Sequence, residues 1–473
     1  MTVSEHREAS RPGIDVVIPT FNTAPFLAQA IESALRESGV HPTVIVVDDG
    51  STDDTASVVA PYLDRIRYVR QPRQGQAAAR NHGLRLGQSP YVAFMDADDY
   101  YLPGSLTALQ TTLAARPDLG ALQGGVVEVD ASGARLRDLE LWHDVPSFDL
   151  ETCVRRKPVA LKAMLLRREW AERVGGFDPE LRWAEDVDFL IRLVAAGCSV
   201  EWLRQPISCY RQHDRNITRD AVAEAAALEV VLDKYFRRPD VPHRLRQQER
   251  STRYYSLTWG AWRMFRAGQT DAIVPQMRRA LASSPYEVGM TALEWTRLFR
   301  EWSDREGGSV DELDRIGSYL EAVLGEKTGG GSWLHLRWLV EVWEPLLRND
   351  REQVAEGLRS FRTLGVDELT RLAQSSLLLT DPREMKDAVD RLWEEAQRGG
   401  LVALEGHGAV ASLYLAAFEQ ALLAGRTRVA WQALRAATRW TTSRRAAAAW
   451  LTFVRAALRH FRRHGTAETG HEG

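Results

Sequence analysis

Tyr91-Val92-Ala93-Phe94-Met95-Asp96-Ala97-Asp98-Asp99 is an apolar run that ends in three acids. A continuous apolar run of this length reads as a strand buried on both faces. Carboxylates cannot sit unpaired inside such a strand, so they belong at its end, where a cation neutralises them. Hard oxygen donors at one-residue spacing suit Mg²⁺ or Mn²⁺ shared with phosphate oxygens. A second acidic cluster, Trp183-Ala184-Glu185-Asp186-Val187-Asp188-Phe189, lies far downstream and can supply a separate base. A metal–diphosphate site with a distant carboxylate is the equipment for moving a group off a nucleotide diphosphate.

The segments around the acidic strand alternate between strand and helix signals. Ile14 to Ile18 is a β-rich run stopped by Pro19, and helical spacing follows from Pro25 to Leu35. Thr43 to Val47 is a second buried strand, ended by Asp48-Asp49-Gly50-Ser51. Ile66 to Val69 reads as a third strand and Gln76 to Leu86 as a helix. Repeated β-α units predict an α/β fold with a mainly parallel sheet covered on both faces. Ligands of such sheets bind beyond the carboxyl ends of the strands, where these polar clusters fall. Further on, Val126 to Val129 reads as a strand before a turn, Arg168 to Val174 and Asp186 to Ala196 as helices, and Val200 to Leu203 and Ile207 to Tyr210 as closing strands.

After about residue 220 the strand signals vanish, and helices rich in Ala, Leu, Arg and Trp take over. Residues 261–281 resemble residues 418–437: in each a helix ends at Ala-Gly and a second follows, as in helix-turn-helix repeats of the tetratricopeptide kind. The expected organisation is a disordered tail over 1–12, an α/β domain over 13–220, an all-α helical domain over 221–463 with a break near 326–332, and a disordered tail over 464–473. Tryptophans at helical spacing, such as Trp338 with Trp343, read as core.

Bulk properties narrow the class. The chain has 473 residues, 26% of them charged, with a formal net charge of −3, so two or three domains and no nucleic-acid partner are expected. Cys153, Cys198 and Cys209 show no metal-ligand spacing, which fits a reduced, cytoplasmic setting. The polar start, Met1 to Arg11, is not a signal peptide. No run of eighteen apolar residues predicts a membrane span, while a peripheral membrane contact stays open.

The order of motifs resembles family 2 glycosyltransferases of the GT-A fold over residues 13 to 216. The resemblance rests on Val17-Ile18-Pro19-Thr20-Phe21-Asn22, Val46-Val47-Asp48-Asp49-Gly50-Ser51-Thr52-Asp53, Gly75-Gln76-Ala77-Ala78-Ala79-Arg80-Asn81-His82-Gly83, Asp96-Ala97-Asp98-Asp99 and Glu185-Asp186. Pro19 ends the first strand, and Thr20, Phe21 and Asn22 can offer backbone groups to a nucleotide. Asp49 can accept the imide N–H of uracil or thymine, and in similar enzymes this position reads the base; the plainer reading is a turn with a helix cap. Arg80 can meet the base or a phosphate, or be a solvated helical arginine. The resemblance implies that Asp96 reaches the ribose and Asp98 holds the metal, Mn²⁺ or Mg²⁺, which stabilises the departing diphosphate. Asp99 is expected to hold the loop.

Asp186 is the candidate general base, with Glu185 its competitor and Asp188 a weaker one; the alternative is an acid serving the helix dipole. Adjacent helical residues diverge by about 100°, so only one of Glu185 and Asp186 readily points inward, and the resemblance favours Asp186. Similar enzymes have a Tyr-Arg-x-His segment where this chain has Tyr210-Arg211-Gln212-His213. Its histidine can complete the metal shell, and Arg211 could meet phosphate. His82 reads as structural. The Gln-x-x-Arg-Trp motif of processive synthases is missing, which implies one sugar per encounter.

The resemblance implies transfer, with inversion, from a nucleotide-diphosphate sugar. UDP is the first expectation, TDP the next, and guanine stays open. The acceptor is expected to be a cell-surface glycan or lipid-linked oligosaccharide. Alternatives are a peptide or small natural product recruited by the helical half, or a degenerate GT-A domain that only binds. Homodimerisation is another use for the helical half.

Overall fold

The structure is a computed structural model that describes residues 13–324 apart from 38, 215, 217 and 218, then 333–361, and parts of 364–436. The segments expected as tails, the break near 326–332 and most of the second repeat copy lie outside the described residues. Two compact units divide the chain, 1–285 and 286–473.

The first unit is built on a nine-stranded sheet. Strands β1 (Ile14–Thr20), β2 (Pro42–Asp48), β3 (Arg67–Arg70) and β4 (Tyr91–Phe94) are parallel, in the order β3-β2-β1-β4. Beyond β4 the sheet turns mixed. β8 (Met164–Arg167) runs antiparallel to β4, β6 (Ala121–Val129) antiparallel to β8, β9 (Val200–Arg211) parallel to β6, and β5 (Tyr100–Tyr101) antiparallel to β9. β7 (Arg135–Leu139) forms a hairpin with β6. The fold is thus α/β and GT-A-like, with its parallel half carrying the β-α units.

Register fixes where the loops meet. Thr20 pairs with Asp48 and Val17 with Phe94, so the chain leaves β1, β2 and β4 at one edge of the sheet. Alternation divides β1 between two cores. Val16 and Ile18 face Leu27, Ile31 and Leu109 on one side, while Val17 faces Ala77, Leu84 and Phe189 on the other. The first side holds helices α1 (Ala24–Leu35) and α4 (Ser105–Ala115); α3 (Gln76–Leu86) and α7 (Glu185–Ala195) contribute to the second. Helix α3 lies so close to β1 that a Cβ on Gly83 would come within 2.3 Å of Val17 Cγ1. A glycine at this contact is what lets the helix seat.

The first unit continues past residue 220 through α8 (Ala221–Phe236), α9 (His243–Gln247), α10 (Glu249–Arg266) and α11 (Thr270–Ser283). Leu228, Val231, Leu232, Tyr235 and Phe236 of α8 pack on Val187 and Ile191 of α7. The first repeat copy falls on α10 and α11.

In the second unit the described helices include α12 (Val288–Arg305), α13 (Val310–Leu324), α14 (Trp333–Trp338), α15 (Glu344–Leu347), α16 (Arg351–Ser360) and Met385–Arg398. Trp338 and Trp343 sit in their apolar core with Leu346 and Phe361, in line with the sequence reading. No helix among the described residues is long and apolar enough to cross a membrane.

Candidate active site

The loop after β1 is tied to the loop after β2 by local hydrogen bonds. Asn22, in the left-handed region at φ 54, accepts from Thr52 N through Oδ1 at 2.8 Å and donates its own N–H to Ser51 Oγ at 3.0 Å. Thr20 Oγ1 meets Thr23 Oγ1 at 2.7 Å, and the Thr20 carbonyl accepts from Asp49 N at 2.9 Å. Arg73 lies over the Phe21 ring at 3.9 Å. Pro19, Thr20, Phe21, Asn22 and Asp49 therefore share one corner.

Asp49 is buried and largely engaged. Its Oδ1 accepts from Gln71 Nε2 and Gln74 N, both at 2.8 Å, and its Oδ2 accepts from Gly75 N at 2.8 Å. A carboxylate has about four acceptor positions, so one position on Oδ2 is left for a base. His82 Nδ1 donates to Gln71 Oε1 at 2.7 Å, so His82 supports this loop, in line with a structural role.

Arg80 stands elsewhere than expected. Its guanidinium is 3% exposed and bridges two acids, donating through Nη2 to Asp96 Oδ1 at 2.6 Å and through Nη1 to Glu185 Oε1 at 2.5 Å. Burial works against its charge, but Asp96, Glu185 and Asp186 outweigh burial and raise its pKa. The base or phosphate contact is replaced by a bridge between the two acidic clusters. Gln76 Nε2 adds a bond to Asp96 Oδ1 at 2.8 Å. Burial opposes ionisation of Asp96 too, yet Arg80 and Lys162 hold its carboxyl below the usual range.

Lys162, unremarked in the sequence, is the second cation of the site. It lies on the turn Leu161–Ala163 before β8. Its Nζ is 2.5 Å from Asp99 Oδ2, 3.7 Å from Asp96 Oδ2 and 3.7 Å from the Tyr210 ring centroid. Burial pushes the Asp99 carboxyl up to about 7; Lys162 pulls against it, and Asp98 and Asp96 add to it. Asp99 Oδ1 also accepts from Arg211 N at 2.9 Å, so Asp99 holds the loop as expected.

Arg211 acts as a clamp inside the fold. It is buried, and its guanidinium donates to the carbonyls of Asp98 (3.1 Å) and Ala131 (3.0 Å) and to Gln29 Oε1 (2.5 Å). Three of its five N–H groups are thus used inside the fold. The clamp brings His213 to the acids: His213 Nε2 lies 3.0 Å from Asp98 Oδ2, and its ring stacks on Phe26 at 4.7 Å.

Helix α7 starts at Ala184, a non-glycine residue in the left-handed region at φ 56, which turns the chain sharply into Glu185. Glu185 is buried against Arg80; Asp186 is half-buried and accepts from Val187 N through Oδ1 at 2.8 Å. Burial raises the Asp186 carboxyl pKa against the pull of Arg80, and burial raises Glu185 likewise. Asp188 points to other partners, with Arg192 at 2.7 Å and Lys234 at 2.9 Å. Asp188 has both oxygens engaged, whereas Asp186 and Glu185 each have one oxygen bonded, to Val187 N and to Arg80.

Among the described residues, no three side chains from His, Cys, Asp and Glu form a metal-holding group. Asp98 with His213 gives one carboxylate and one imidazole, a donor pair that fits a hard divalent cation if substrate oxygens complete the shell.

Residues 15–172 match the family model described as Glycosyl transferase family 2. Among similar proteins, the Succinoglycan biosynthesis protein ExoU of Rhizobium meliloti is 31% identical over 206 residues, covering 40% of this chain and 59% of the relative. The Uncharacterized glycosyltransferase EpsJ of Bacillus subtilis is 26% identical over 226 residues, 44% of this chain and 63% of the relative. The chain thus covers less than two thirds of either protein. Among solved structures, S. aureus TarS 1–349 in complex with UDP-GlcNAc aligns at TM-score 0.45 and 15% identity, over 63% of this chain and 93% of that one. The mannosyltransferase PcManGT from Pyrobaculum calidifontis, in complex with GDP-Man and Mn²⁺, aligns at 0.44 and 20%, over 68% and 88%. Over residues 15–172 the chain is thus similar to family 2 glycosyltransferases.

Proposed function

We propose that the chain is a metal-dependent, inverting glycosyltransferase that moves one sugar from a nucleotide-diphosphate sugar to a glycan or lipid-linked oligosaccharide. The observation that carries this reading is the meeting of Asp98 with His213, which are 3.0 Å apart in space though 115 positions apart in sequence, beside acids bridged by Arg80. Asp98 and His213 would hold Mn²⁺ or Mg²⁺, which when bound supplies positive charge to the departing diphosphate.

The chain's own residues do the rest. The corner of Thr20 to Asn22 receives the nucleotide, and the open position on Asp49 Oδ2 accepts the imide N–H of uracil, which favours a UDP-sugar. Asp96, fixed by Arg80 and Gln76, faces the ribose. Asp186 takes the proton from the acceptor hydroxyl as its oxygen forms the bond to the anomeric carbon; the bond from that carbon to the diphosphate breaks on the opposite face, so configuration inverts. The raised Asp186 pKa makes it a better base than an ordinary aspartate. Similarity to a succinoglycan biosynthesis protein supports a glycan acceptor.

The test is release of nucleoside diphosphate from a panel of UDP-, TDP- and GDP-sugars with Mn²⁺, run beside Asp98→Ala and Asp186→Asn. Release from one donor, lost in both variants, is the expected outcome. Donor binding with no turnover under any acceptor would mean that the domain only binds.

A further inference from the structure

Lys234 closes the segment that carries the candidate base. Its Nζ donates to Asp178 and, at 2.9 Å, to Asp188, the two ends of a stretch that contains Trp183, Ala184, Glu185 and Asp186. Inside that stretch Leu181 is buried in the α7–α8 core and Ala184 packs against it, while Glu185 is held by Arg80. Every neighbour of Trp183 except Arg182 is therefore anchored.

Trp183 itself is not. It is half-buried, yet it joins neither apolar cluster that α7 packs into. Among the described residues its ring stacks on no aromatic and its indole N–H donates to no group. A large aromatic side chain with an unused N–H, held on a fixed loop, is an unfilled binding surface. Its position says for what. A general base must lie within about 3 Å of the hydroxyl it deprotonates, and three residues span about 10 Å at most. The molecule bearing that hydroxyl lies within reach of the indole.

We propose that Trp183 is the acceptor platform and that the acceptor is a carbohydrate, one face of whose sugar ring stacks on the indole while its hydroxyl meets Asp186. A pyranose fits because its axial C–H groups present an apolar face of about the size of the indole, with hydroxyls at the rim for the N–H. The inference rests on the reading of Asp186 as base and of the acceptor as a glycan, and adds the residue that seats the acceptor ring.

The experiment uses the full chain, Trp183→Ala and Trp183→Phe, with a panel of p-nitrophenyl pyranosides as acceptors. Transfer to the glycoside and hydrolysis by water are followed in one reaction, and their ratio is read. Trp183→Ala is expected to lower the ratio about tenfold through the glycoside KM, and Trp183→Phe to recover most of it. Transfer and hydrolysis falling in proportion, or a ratio unchanged in Trp183→Ala, would overturn the platform. Wild-type hydrolysis with transfer to no glycoside would overturn the carbohydrate class. Loss of wild-type turnover on all donors would instead strike the proposed function itself.

Discussion

Replacing Arg80 with methionine separates two roles for this residue. The guanidinium is 3% exposed and sits between Asp96 at 2.6 Å and Glu185 at 2.5 Å. Methionine keeps most of the apolar stem but leaves Glu185, itself 6% exposed, without its counter-charge and close to Asp186. Breaking a buried pair by removing one partner costs about 3–5 kcal/mol. Glu185 can recover part of that by taking up a proton, since burial already raises its pKa. At about 1.4 kcal/mol per power of ten, the unfolding equilibrium moves by roughly two to three and a half powers, a large share of the usual 5–15 kcal/mol (about) of a folded protein. Urea unfolding of the wild type, Arg80→Met, Glu185→Gln and the double variant measures this. The double variant is expected to recover about 1–3 kcal/mol over the sum of the singles, because no buried Glu185 charge is left to strand. Donor turnover on the same four proteins should lose kcat more than donor affinity, since Asp96 and the α7 terminus both lose their common anchor. Arg80→Met unfolding within about 0.5 kcal/mol of wild type, with a raised donor KM and unchanged kcat, would refute the bridge and restore the base or phosphate contact.

Three further outcomes follow from the same geometry. Burial raises the Asp186 pKa, so the stability it contributes belongs to its protonated form: it is present below about pH 4, the unfolded value, and is lost as pH rises through the raised folded value. Asp186→Asn should therefore abolish transfer yet unfold at higher urea than wild type at pH 7, the gain vanishing in acid; the acid limb of wild-type kcat should lie above the usual aspartate value. Ala184 is in the left-handed region, where a side chain costs about 1–2 kcal/mol and a β-branched one more; Ala184→Val should lower the melting temperature and kcat, and Ala184→Gly should keep both. Lys234 is 40% exposed at its side chain, so Lys234→Met should cost only about 1 kcal/mol while cutting kcat, a split that thermal melting and donor turnover together resolve.

The parallel half of the fold was legible because β1, β2 and β4 are largely buried on both faces and read as apolar runs; β1 to β4 and α3 are found within a residue or two of the positions their sequences suggest. In the mixed half β6 and β9 were read in part, as Val126 to Val129 and as the runs 200–203 and 207–210, while β5, β7 and β8 were missed. β8 is four residues squeezed between a turn and a helix, and it carries no alternation of its own. The acids of the site were legible as acids at strand ends, but their partners were not, because pairs such as Asp49 with Gln74 or Arg211 with Gln29 join positions that only the fold brings together. Lys162 left one usable signal. It is a lone charge in Val159-Ala160-Leu161-Lys162-Ala163-Met164-Leu165-Leu166, and a cation in such a run needs a buried acid, which the Asp96–Asp99 cluster supplies. Arg80 and Arg211 misled in the opposite way: an arginine near a phosphate site invites a ligand role, and only burial with bonds to groups inside the fold reveals a brace.

Charge balance explains why the site needs these braces. Asp96, Asp98, Asp99, Glu185 and Asp186 gather five carboxylates at one edge of the sheet, and Arg80 and Lys162 are the cations bonded among them. Two cations cannot balance five ionised acids, so the pocket without substrate crowds negative charge; burial first, and these neighbouring carboxylates second, raise the pKa values of Asp99, Glu185 and Asp186. A divalent cation at Asp98 and His213 would relieve it, and a nucleoside diphosphate arriving alone would worsen it. Metal and donor are therefore expected to bind with positive cooperativity. Burial, with that charge adding to it, raises the Asp186 pKa, and a carboxylate kept in that setting is the condition for a stronger base. Since α8 packs on α7 and Lys234 pins the ends of the loop that carries Asp186, that condition depends on residues beyond the family-matched segment. A cut at residue 220 would remove α8 and expose Val187 and Ile191, whereas a cut after Pro285 keeps the unit whole; only the second can ask what the remaining helices do.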